Sequence, residues 1–244
     1  MAMCRMMLWT SKSGELPPKQ LLEGLVRIAE KDRFGKSHGN GWGMGWVDPQ
    51  GGVGLYRNLK PIWESQVNLP SQTLTLILHA RRGSHVAPEN THPFRCGRLI
   101  LAHNGMVSKA FTRPLTRHKP QGVTDSEAYL CLLAELLEEE DLVEALRRSL
   151  ELVKVKTALN LLIIHLAENP REGEAYALNY FRAESSEEAS KGYYTLHWRL
   201  LDEGLAVASE PLDEASWTPI SLDGKPILLK VRFGAPGKFE FLRL

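Results

Sequence analysis

Four of the eight histidines in this chain lie in one short segment, together with two adjacent arginines. His79 and Arg81 follow an apolar run at residues 74–78, and His103 follows a second apolar run at residues 99–102. Apolar runs of this length are typical of buried β-strands. Two buried strands that are followed by imidazole and guanidinium groups predict the rim of a binding or catalytic site.

Cys4 opens a further predicted strand, close to the start of the chain. A cysteine that is the first residue of a mature chain carries an α-amino group with a pKa of about 7.7–8. That amine can act as general base for the thiol of the same residue and so produce a nucleophile. The alternative is a buried strand cysteine that packs as a small apolar side chain.

The neighbouring polar residues also have structural interpretations. The histidines are spaced by six, seven and eleven residues, which matches no zinc pattern, so we predict no metal site and no cofactor. Arg82 is interpreted as solvated. Asp125 suits the first turn of a helix, where a carboxylate is favoured in any case, and this is compatible with a role in binding. We interpret Cys96 and Cys131 as structural.

Three segments are predicted to be helical. Residues 20–31 carry leucine, isoleucine and alanine at helical spacing. Thr124 and Glu127 have the spacing of a capping box, in which each side chain bonds the other residue's backbone amide. Asp141 is the predicted N-cap of a third helix, over residues 141–153.

The other apolar segments predict β-strands. Besides the runs already named, they lie at residues 4–9, 53–56, 160–165, 174–181, 193–199, 205–208, 227–233 and 239–242. The glycine-rich segment at residues 38–46 is interpreted either as a turn into a strand that ends at Val47 or as a stretch that another backbone or a ligand approaches closely. The turn residues Asp223-Gly224 and Pro236-Gly237 indicate antiparallel hairpins. Helices grouped between blocks of strands favour a layered α+β domain over a parallel βαβ sheet.

Composition narrows the class of protein. The 244 residues are enough for one large domain, which we predict to span residues 1–244. A net charge of +1 gives no basic footprint for nucleic acid. Three cysteines without a CxxC pair favour a reducing compartment, and neither a signal peptide nor a membrane-spanning run of about 20 residues is recognisable. We therefore expect a cytoplasmic protein without a membrane or nucleic-acid partner.

Several short motifs occur in a fixed order after Cys4. They read HGNGWG at residues 38–43, HARR at 79–82, ENTHPF at 89–94, AHNG at 102–105 and TDSE at 124–127. In this order the chain resembles the class II glutamine amidotransferases, which are N-terminal-nucleophile hydrolases, and is most similar to their small stand-alone members. ASEP at residues 208–211 also looks like a family motif. The resemblance implies a four-layer αββα sandwich with mostly antiparallel sheets.

The resemblance also implies the catalytic residues. Cys4 corresponds to the nucleophile that attacks the side-chain amide of glutamine. Ammonia leaves, and water then hydrolyses the γ-glutamyl thioester to glutamate. The side chain of Asn104 and the backbone amide of Gly105 correspond to the oxyanion hole, whose donors bind the tetrahedral intermediate.

Three further residues correspond to the family's binding site for the amino-acid head group. Arg81 would bind the α-carboxylate of glutamine, because a guanidinium can form two parallel hydrogen bonds to it. Asp125 would bind the α-ammonium group, aided by His92 or its backbone. Asn40, where the stand-alone relatives usually have Asp, is given no catalytic role.

Residues 1–3 depart from the family pattern, in which the cysteine directly follows the initiator methionine. Here Met1, Ala2 and Met3 precede Cys4. The resemblance implies that the chain starts at Met3 or is processed to Cys4, because otherwise the amine base is missing and the protein is inactive.

The sequence leaves the substrate and the partners open. Another γ-glutamyl compound with a larger leaving amine is one alternative to glutamine. A non-catalytic ligand-binding or partner subunit is the other. An ammonia-accepting synthase is the protein partner that glutamine hydrolysis would serve.

Overall fold

The computed structural model describes residues 4–182, 184 and 192–244. These residues form thirteen β-strands and three α-helices. In chain order the strands are β1 (Arg5–Ser11), β2 (Trp42–Val47), β3 (Val53–Asn58), β4 (Thr75–Ala80), β5 (Phe94–Cys96), β6 (Leu99–Val107), β7 (Val155–His165), β8 (Glu174–Asn179), β9 (His197–Leu200), β10 (Gly204–Ala208), β11 (Thr218–Pro219), β12 (Ile227–Arg232) and β13 (Phe239–Arg243). The helices are α1 (Lys19–Glu30), α2 (Asp125–Leu137) and α3 (Leu142–Leu152). None of these helices is long and apolar enough to cross a membrane.

The strands form two antiparallel sheets. Sheet A has seven strands in the order β11-β9-β10-β1-β4-β2-β3, and sheet B has six in the order β13-β12-β8-β7-β6-β5. β1 lies between β10 and β4. β6 lies between β5 and β7. The strand that directly follows Cys4 and the strand that contains Asn104 and Gly105 are therefore inside the sheets, where the ladder holds them on both sides.

Three apolar cores stack the elements into four layers. Leu21, Leu25 and Ile28 pack α1 on the outer face of sheet A. The inner faces of the two sheets meet in a second core that includes Leu8 and Leu162. α2 and α3 cover the outer face of sheet B. The order helix, sheet, sheet, helix confirms the predicted α+β class and the αββα sandwich.

The starts of α2 and α3 show how the sequence sets the helix boundaries. Thr124 accepts a hydrogen bond from the amide of Glu127 at 3.2 Å, as the capping box predicts. The reciprocal half of the box is wrong, because the Glu127 carboxylate accepts from the amide of Gly122 at 2.7 Å instead. Asp141 accepts from two amides in the first turn of α3, so its predicted N-cap role is confirmed.

β6 is longer than the sequence predicts. The prediction ended this strand at residue 102, but the ladder continues to Val107. His103 pairs with Leu161, and Asn104 pairs with Asn160, on the neighbouring strand β7. Polar side chains extend a buried strand here because each of them finds a hydrogen-bond partner inside the protein. His103 and Asn104 therefore project from a strand rather than from a loop.

The strand predicted at residues 193–199 is also wrong in its first half, since β9 begins at His197. The carbonyl of Tyr194 does not join a ladder. It accepts the side-chain amides of Asn160 at 2.6 Å and Asn179 at 2.9 Å. Two side chains thus replace the strand partner that the sequence pattern suggested.

One of the two predicted hairpin turns is wrong. Asp223 and Gly224 lie between β11 of sheet A and β12 of sheet B, so this turn carries the chain from one sheet to the other. Pro236 and Gly237 join β12 to β13, which pair antiparallel, and this hairpin is confirmed. A turn motif predicts a reversal of the chain but not which sheet receives the next strand.

Candidate active site

Cys4 directly precedes β1 and lies beside the loop that follows β4. Arg5 pairs with Ala80 in the antiparallel ladder, and this register brings Cys4 to Arg82. The Cys4 sulfur accepts from the Arg82 amide at 3.4 Å and donates to the Arg82 carbonyl at 3.7 Å. Burial raises the pKa of the Cys4 thiol, so this group needs a base before it can act as a nucleophile.

The side chain of Asn104 holds the backbone of Cys4 from sheet B. The Cys4 backbone nitrogen donates to Asn104 Oδ1 at 2.7 Å, and Asn104 Nδ2 donates to the Cys4 carbonyl at 3.0 Å. Asn104 is buried, with 1 % of its surface exposed. Its second N–H remains for another acceptor, because an amide group carries two. These two bonds join the sheets at the predicted nucleophile.

Five of the six predicted site residues line one cavity, which we call the Cys4 cavity. Its volume is about 330 Å³, and its lining includes Cys4, Arg81, His92, Gly105 and Asp125. Asn104 does not line it. The residues that the sequence motifs single out at distant points of the chain are thus brought together, and Asn104 is bonded to the backbone of Cys4.

Arg81 is held by backbone carbonyls rather than by a carboxylate. Its guanidinium donates to the carbonyl of Ser84 at 2.5 Å and to those of Asn40 and Gly83 at 3.5 Å. Burial lowers the pKa of Arg81, while the negative charge of a Cys4 thiolate would raise it. The guanidinium is therefore oriented by neutral groups and has no acidic partner among the described residues.

Asn40 supports the same loop, although the sequence assigned it no role. The side-chain oxygen of Asn40 accepts from the backbone amide of Gly83 at 3.2 Å. The backbone amide of Asn40 donates to the carbonyl of Arg81 at 2.9 Å. The HGNGWG motif thus has a structural function beside the cavity. Both bonds fix the path of the chain directly after β4.

Asp125 and Gly105 approach the cavity from opposite elements. Asp125 begins α2, and its Oδ2 accepts from the amide of Val107 at 2.8 Å. Gly105 has a φ of 142°, and a Cβ at this position would lie 2.0 Å from the carbonyl oxygen of Ala158. Only glycine fits this point of β6.

Three buried histidines lie next to the cavity. The rings of His79 and His92 are 4.2 Å apart between centroids, and neither ring has a hydrogen-bond partner among the described residues. His103 contacts the Ser126 hydroxyl at 2.9 Å and the Ala158 carbonyl at 3.3 Å. Burial lowers the pKa of all three, that of His79 to about 3. All three are therefore neutral at physiological pH.

Arg5, which sequence reasoning missed, lies behind Cys4 and is 1 % exposed. It donates to the Cys4 carbonyl at 3.2 Å through Nη1 and to Asp32 Oδ2 at 2.6 Å through Nη2. Its Nε is 3.2 Å from Glu210 Oε2. The Cys4 carbonyl thus receives one donor from Arg5 and another from Asn104.

Asp32 connects Arg5 to two further side chains. Its Oδ2 is 3.0 Å from His38 Nε2 and accepts from the Tyr193 hydroxyl at 3.1 Å. Burial alone would raise the pKa of Asp32, but the hydrogen bond from His38 and the charge of Arg5 hold it well below its usual range. We call Arg5, Asp32, His38, Tyr193 and Glu210 the Arg5 network. His38 and Glu210 belong to the HGNGWG and ASEP motifs, and these motifs were the signal for it in the sequence.

The cavity also contains cations that the sequence analysis did not assign. Arg82 lines it as a half-buried side chain whose Nη1 is buried without a partner among the described residues, so the side chain is only in part solvated as predicted. Lys109 and Lys156 line the cavity as well. Both are isolated lysines outside the sequence motifs, and no spacing pattern in the sequence connects them to the site.

Comparisons with known proteins show which family the chain is similar to. The profile of the family described as glutamine amidotransferases class II matches residues 22–169. The chain is 28 % identical over 148 residues to a γ-glutamyl-hercynylcysteine sulfoxide hydrolase of Mycolicibacterium smegmatis, a match that covers 55 % of the chain and 62 % of the relative. A putative glutamine amidotransferase of Haemophilus influenzae is 33 % identical over 113 residues, which are 41 % of the chain and 37 % of the relative.

A glutamine–fructose-6-phosphate aminotransferase of Streptococcus agalactiae is 32 % identical over 97 residues, with 36 % of the chain and 16 % of the relative covered. The chain therefore spans less than two thirds of the length of each of these curated relatives.

Proposed function

The chain belongs to the class II glutamine amidotransferases, and on this premise we propose that it hydrolyses γ-glutamyl amides through Cys4, with glutamine as the first substrate. The observation that supports this most directly is the position of the Cys4 sulfur. It faces a cavity that also contains one buried guanidinium, Arg81, and one carboxylate, Asp125. A γ-glutamyl head group carries one carboxylate and one ammonium group, which are the charges that these two side chains complement.

The reaction follows from the groups around the sulfur. The α-amine of a chain that begins at Cys4 takes the thiol proton, and the thiolate attacks the γ-carbonyl carbon. The second N–H of Asn104 and the amide of Gly105 donate to the oxyanion. The C–N bond then breaks, and the leaving amine takes the proton from the α-ammonium group. Water attacks the thioester and releases glutamate and the free thiol.

This mechanism requires a chain that begins at Cys4. The backbone nitrogen of this residue already contacts Asn104 Oδ1 at 2.7 Å, so a free amine there would have a neighbour that fixes its orientation. Removal of residues 1–3, or a start at Met3 followed by removal of that methionine, would expose this amine. We propose that the active form is produced in one of these two ways.

A γ-glutamyl compound with a larger leaving amine is the second candidate. The relative from Mycolicibacterium smegmatis is named for such a substrate, and a cavity of about 330 Å³ falls within the usual range of ligand pockets. For glutamine itself, the product is ammonia, and a synthase that accepts ammonia would be the partner. Release of ammonia without such a partner is the simplest activity to measure.

The experiment is an ammonia and glutamate assay on protein whose intact mass shows a start at Cys4. We expect the wild type to release both products, Cys4→Ala to release neither while it remains folded, and the matched variant Cys96→Ala to resemble the wild type. If correctly processed protein hydrolyses neither glutamine nor other γ-glutamyl amides, the proposed function is wrong. Binding of a γ-glutamyl ligand without turnover would then favour the ligand-binding or partner-subunit alternative.

A further inference from the structure

The charges in the Cys4 cavity do not balance. Four cationic side chains line it, namely Arg81, Arg82, Lys109 and Lys156, but Asp125 is the only carboxylate in the described part of its wall. Three histidines also line the cavity, and burial lowers the pKa of two of them, His92 and His103, which add no positive charge at neutral pH. The proposed head-group site uses one cation and one anion, so three cations have no function in the binding of glutamine alone.

These three cations are poorly compensated by the protein. The buried Nη1 of Arg82 has no partner among the described residues. Lys156 is exposed, and no described residue forms an ion pair or hydrogen bond with its side chain. Lys109 Nζ donates to one backbone carbonyl, that of Val123, at 3.2 Å. A buried guanidinium nitrogen without an acceptor is unfavourable, and an anionic ligand would supply the missing acceptor. The feature that points to a ligand is therefore this set of free donors on the cavity wall.

Lys156 is placed close to the proposed oxyanion hole by an irregularity of the sheet. Gly105 pairs with Leu159, whereas Val107 pairs with Val155, so the register between β6 and β7 shifts between these two pairs. Lys156 falls in the shifted segment of β7. The bulge thus brings a lysine to the same stretch of β6 that carries Gly105.

We propose that the leaving amine of the preferred substrate carries a carboxylate, as in a γ-glutamyl amino acid, and that Lys156, Lys109 and Arg82 bind this carboxylate. This inference rests on the proposed hydrolysis of γ-glutamyl amides and names its substrate class. Arg81 and Asp125 bind the γ-glutamyl head group, while the three cations bind the part that departs. Attack by Cys4 then breaks the C–N bond, the amino acid leaves with the proton of the Cys4 α-ammonium group, and water regenerates the thiol.

The test compares two substrates of nearly equal size, γ-glutamylglycine and γ-glutamylglycine amide, with the enzyme that begins at Cys4. The readout is the ratio of their kcat/KM values, so that a general loss of activity in a variant does not affect the result. We expect the wild type to favour the carboxylate by about two- to fivefold, the effect of one exposed ion pair. This preference should decrease as salt is added, because added ions screen charges near the surface.

Lys156→Glu should bring the ratio to one or below, and Lys156→Ala should give an intermediate value. The matched control is Lys154→Ala, two residues away and outside the cavity wall, which should keep the wild-type ratio. A wild-type ratio of one, or a ratio that Lys156→Glu leaves unchanged, would overturn the inference. If glutamine is hydrolysed and γ-glutamylglycine is not, the inference fails while the proposed function stands. If neither these substrates nor glutamine are hydrolysed, the proposed function fails as well.

Discussion

The charged side chains on the two sides of Cys4 differ in whether they have oppositely charged partners within the protein. Behind it, Arg5 lies within 3.2 Å of two carboxylates, Asp32 and Glu210, and all three side chains are buried. In front of it, the cavity contains Arg82 and Lys156 without an acidic partner in the described ranges. Both sides border the same residue, yet the charges behind it are paired with opposite charges and the cations in front of it are not.

This difference separates structural charges from those available to a ligand. A buried ion pair that also donates to a backbone carbonyl, as Arg5 does to that of Cys4, holds this backbone in place, and removal of one partner is costly. The buried Nη1 of Arg82 costs stability unless an acceptor occupies the site, whereas the exposed lysines are solvated until a ligand binds. The Arg5 network therefore positions Cys4, and the cavity cations determine what reaches it.

The largest effect is expected behind Cys4. Arg5→Met should lower the free energy of unfolding by about 3–5 kcal/mol, because it leaves Asp32 buried without its cation. Denaturant titration measures this loss. Arg33→Ala is the control, since Arg33 is 41 % exposed and lies 3.8 Å from Glu210, and it should cost about 1 kcal/mol or less. Equal losses in the two variants would show that the Arg5 network is not the structural side of Cys4.

The next largest effect is expected on kcat when Asn104, which bonds the backbone of Cys4, is replaced. Asn104→Ala should lower kcat for glutamine by about 10²–10³-fold and change KM less, because the lost donor acts on the oxyanion of the transition state. Steady-state ammonia release gives both constants, and calorimetry should still detect glutamine. A wild-type kcat would remove Asn104 from the oxyanion hole.

In the cavity, Arg81→Lys should weaken glutamine binding by about 10–100-fold, since an ammonium group cannot reproduce the two parallel bonds of a guanidinium. Asp125→Asn should also weaken it, through the loss of the partner of the α-ammonium. Isothermal titration measures both affinities. Arg98→Lys, an exposed arginine outside this cavity, is the control and should bind as the wild type does. Wild-type affinity in both cavity variants would exclude the proposed head-group site.

The smallest expected effect is on the pH dependence of stability, through the buried neutral histidines next to the Cys4 cavity. A histidine of the unfolded chain gains a proton below pH about 6.5, whereas His79 in the fold stays neutral down to about 3. The free energy of unfolding should therefore fall as the pH decreases from 6.5, by about 1.4 kcal/mol per pH unit for each such histidine. His79→Phe should reduce this slope by about 1.4 kcal/mol per pH unit, which is the contribution of one proton. A stability that stays constant between pH 6.5 and 5 would contradict the buried neutral state.

The sequence predicted the parts of this molecule that depend on local patterns. Apolar periodicity located α1, and the spacing from Thr124 to Glu127 located the start of α2. The pattern failed for β6, because polar His103 and Asn104 find their partners on other elements and so continue a strand that the sequence ends.

In the site, too, local motifs were predictable from the sequence and contacts between distant elements were not. The motifs indicated the residues that line the cavity, because each motif is short and local. The network around Arg5 joins residues as distant as Asp32 and Tyr193, and the bulge that places Lys156 depends on the register of two strands. The motifs contain His38 and Glu210 but do not show that the Arg5 network joins them to Arg5, and no local spacing shows the bulge, so the fold is needed to establish both.

The most direct test of the central claim, that Cys4 is the nucleophile of this cavity, is labelling with an electrophilic analogue of glutamine. Protein of confirmed mass that begins at Cys4 is incubated with the analogue, and the modified peptide is identified by mass spectrometry while activity is followed. We predict one equivalent of label on Cys4, loss of activity in proportion, protection by excess glutamine, and no label on Cys96 or Cys131. Inactivation while Cys4 remains unmodified, or equal labelling of all three cysteines, would contradict the account.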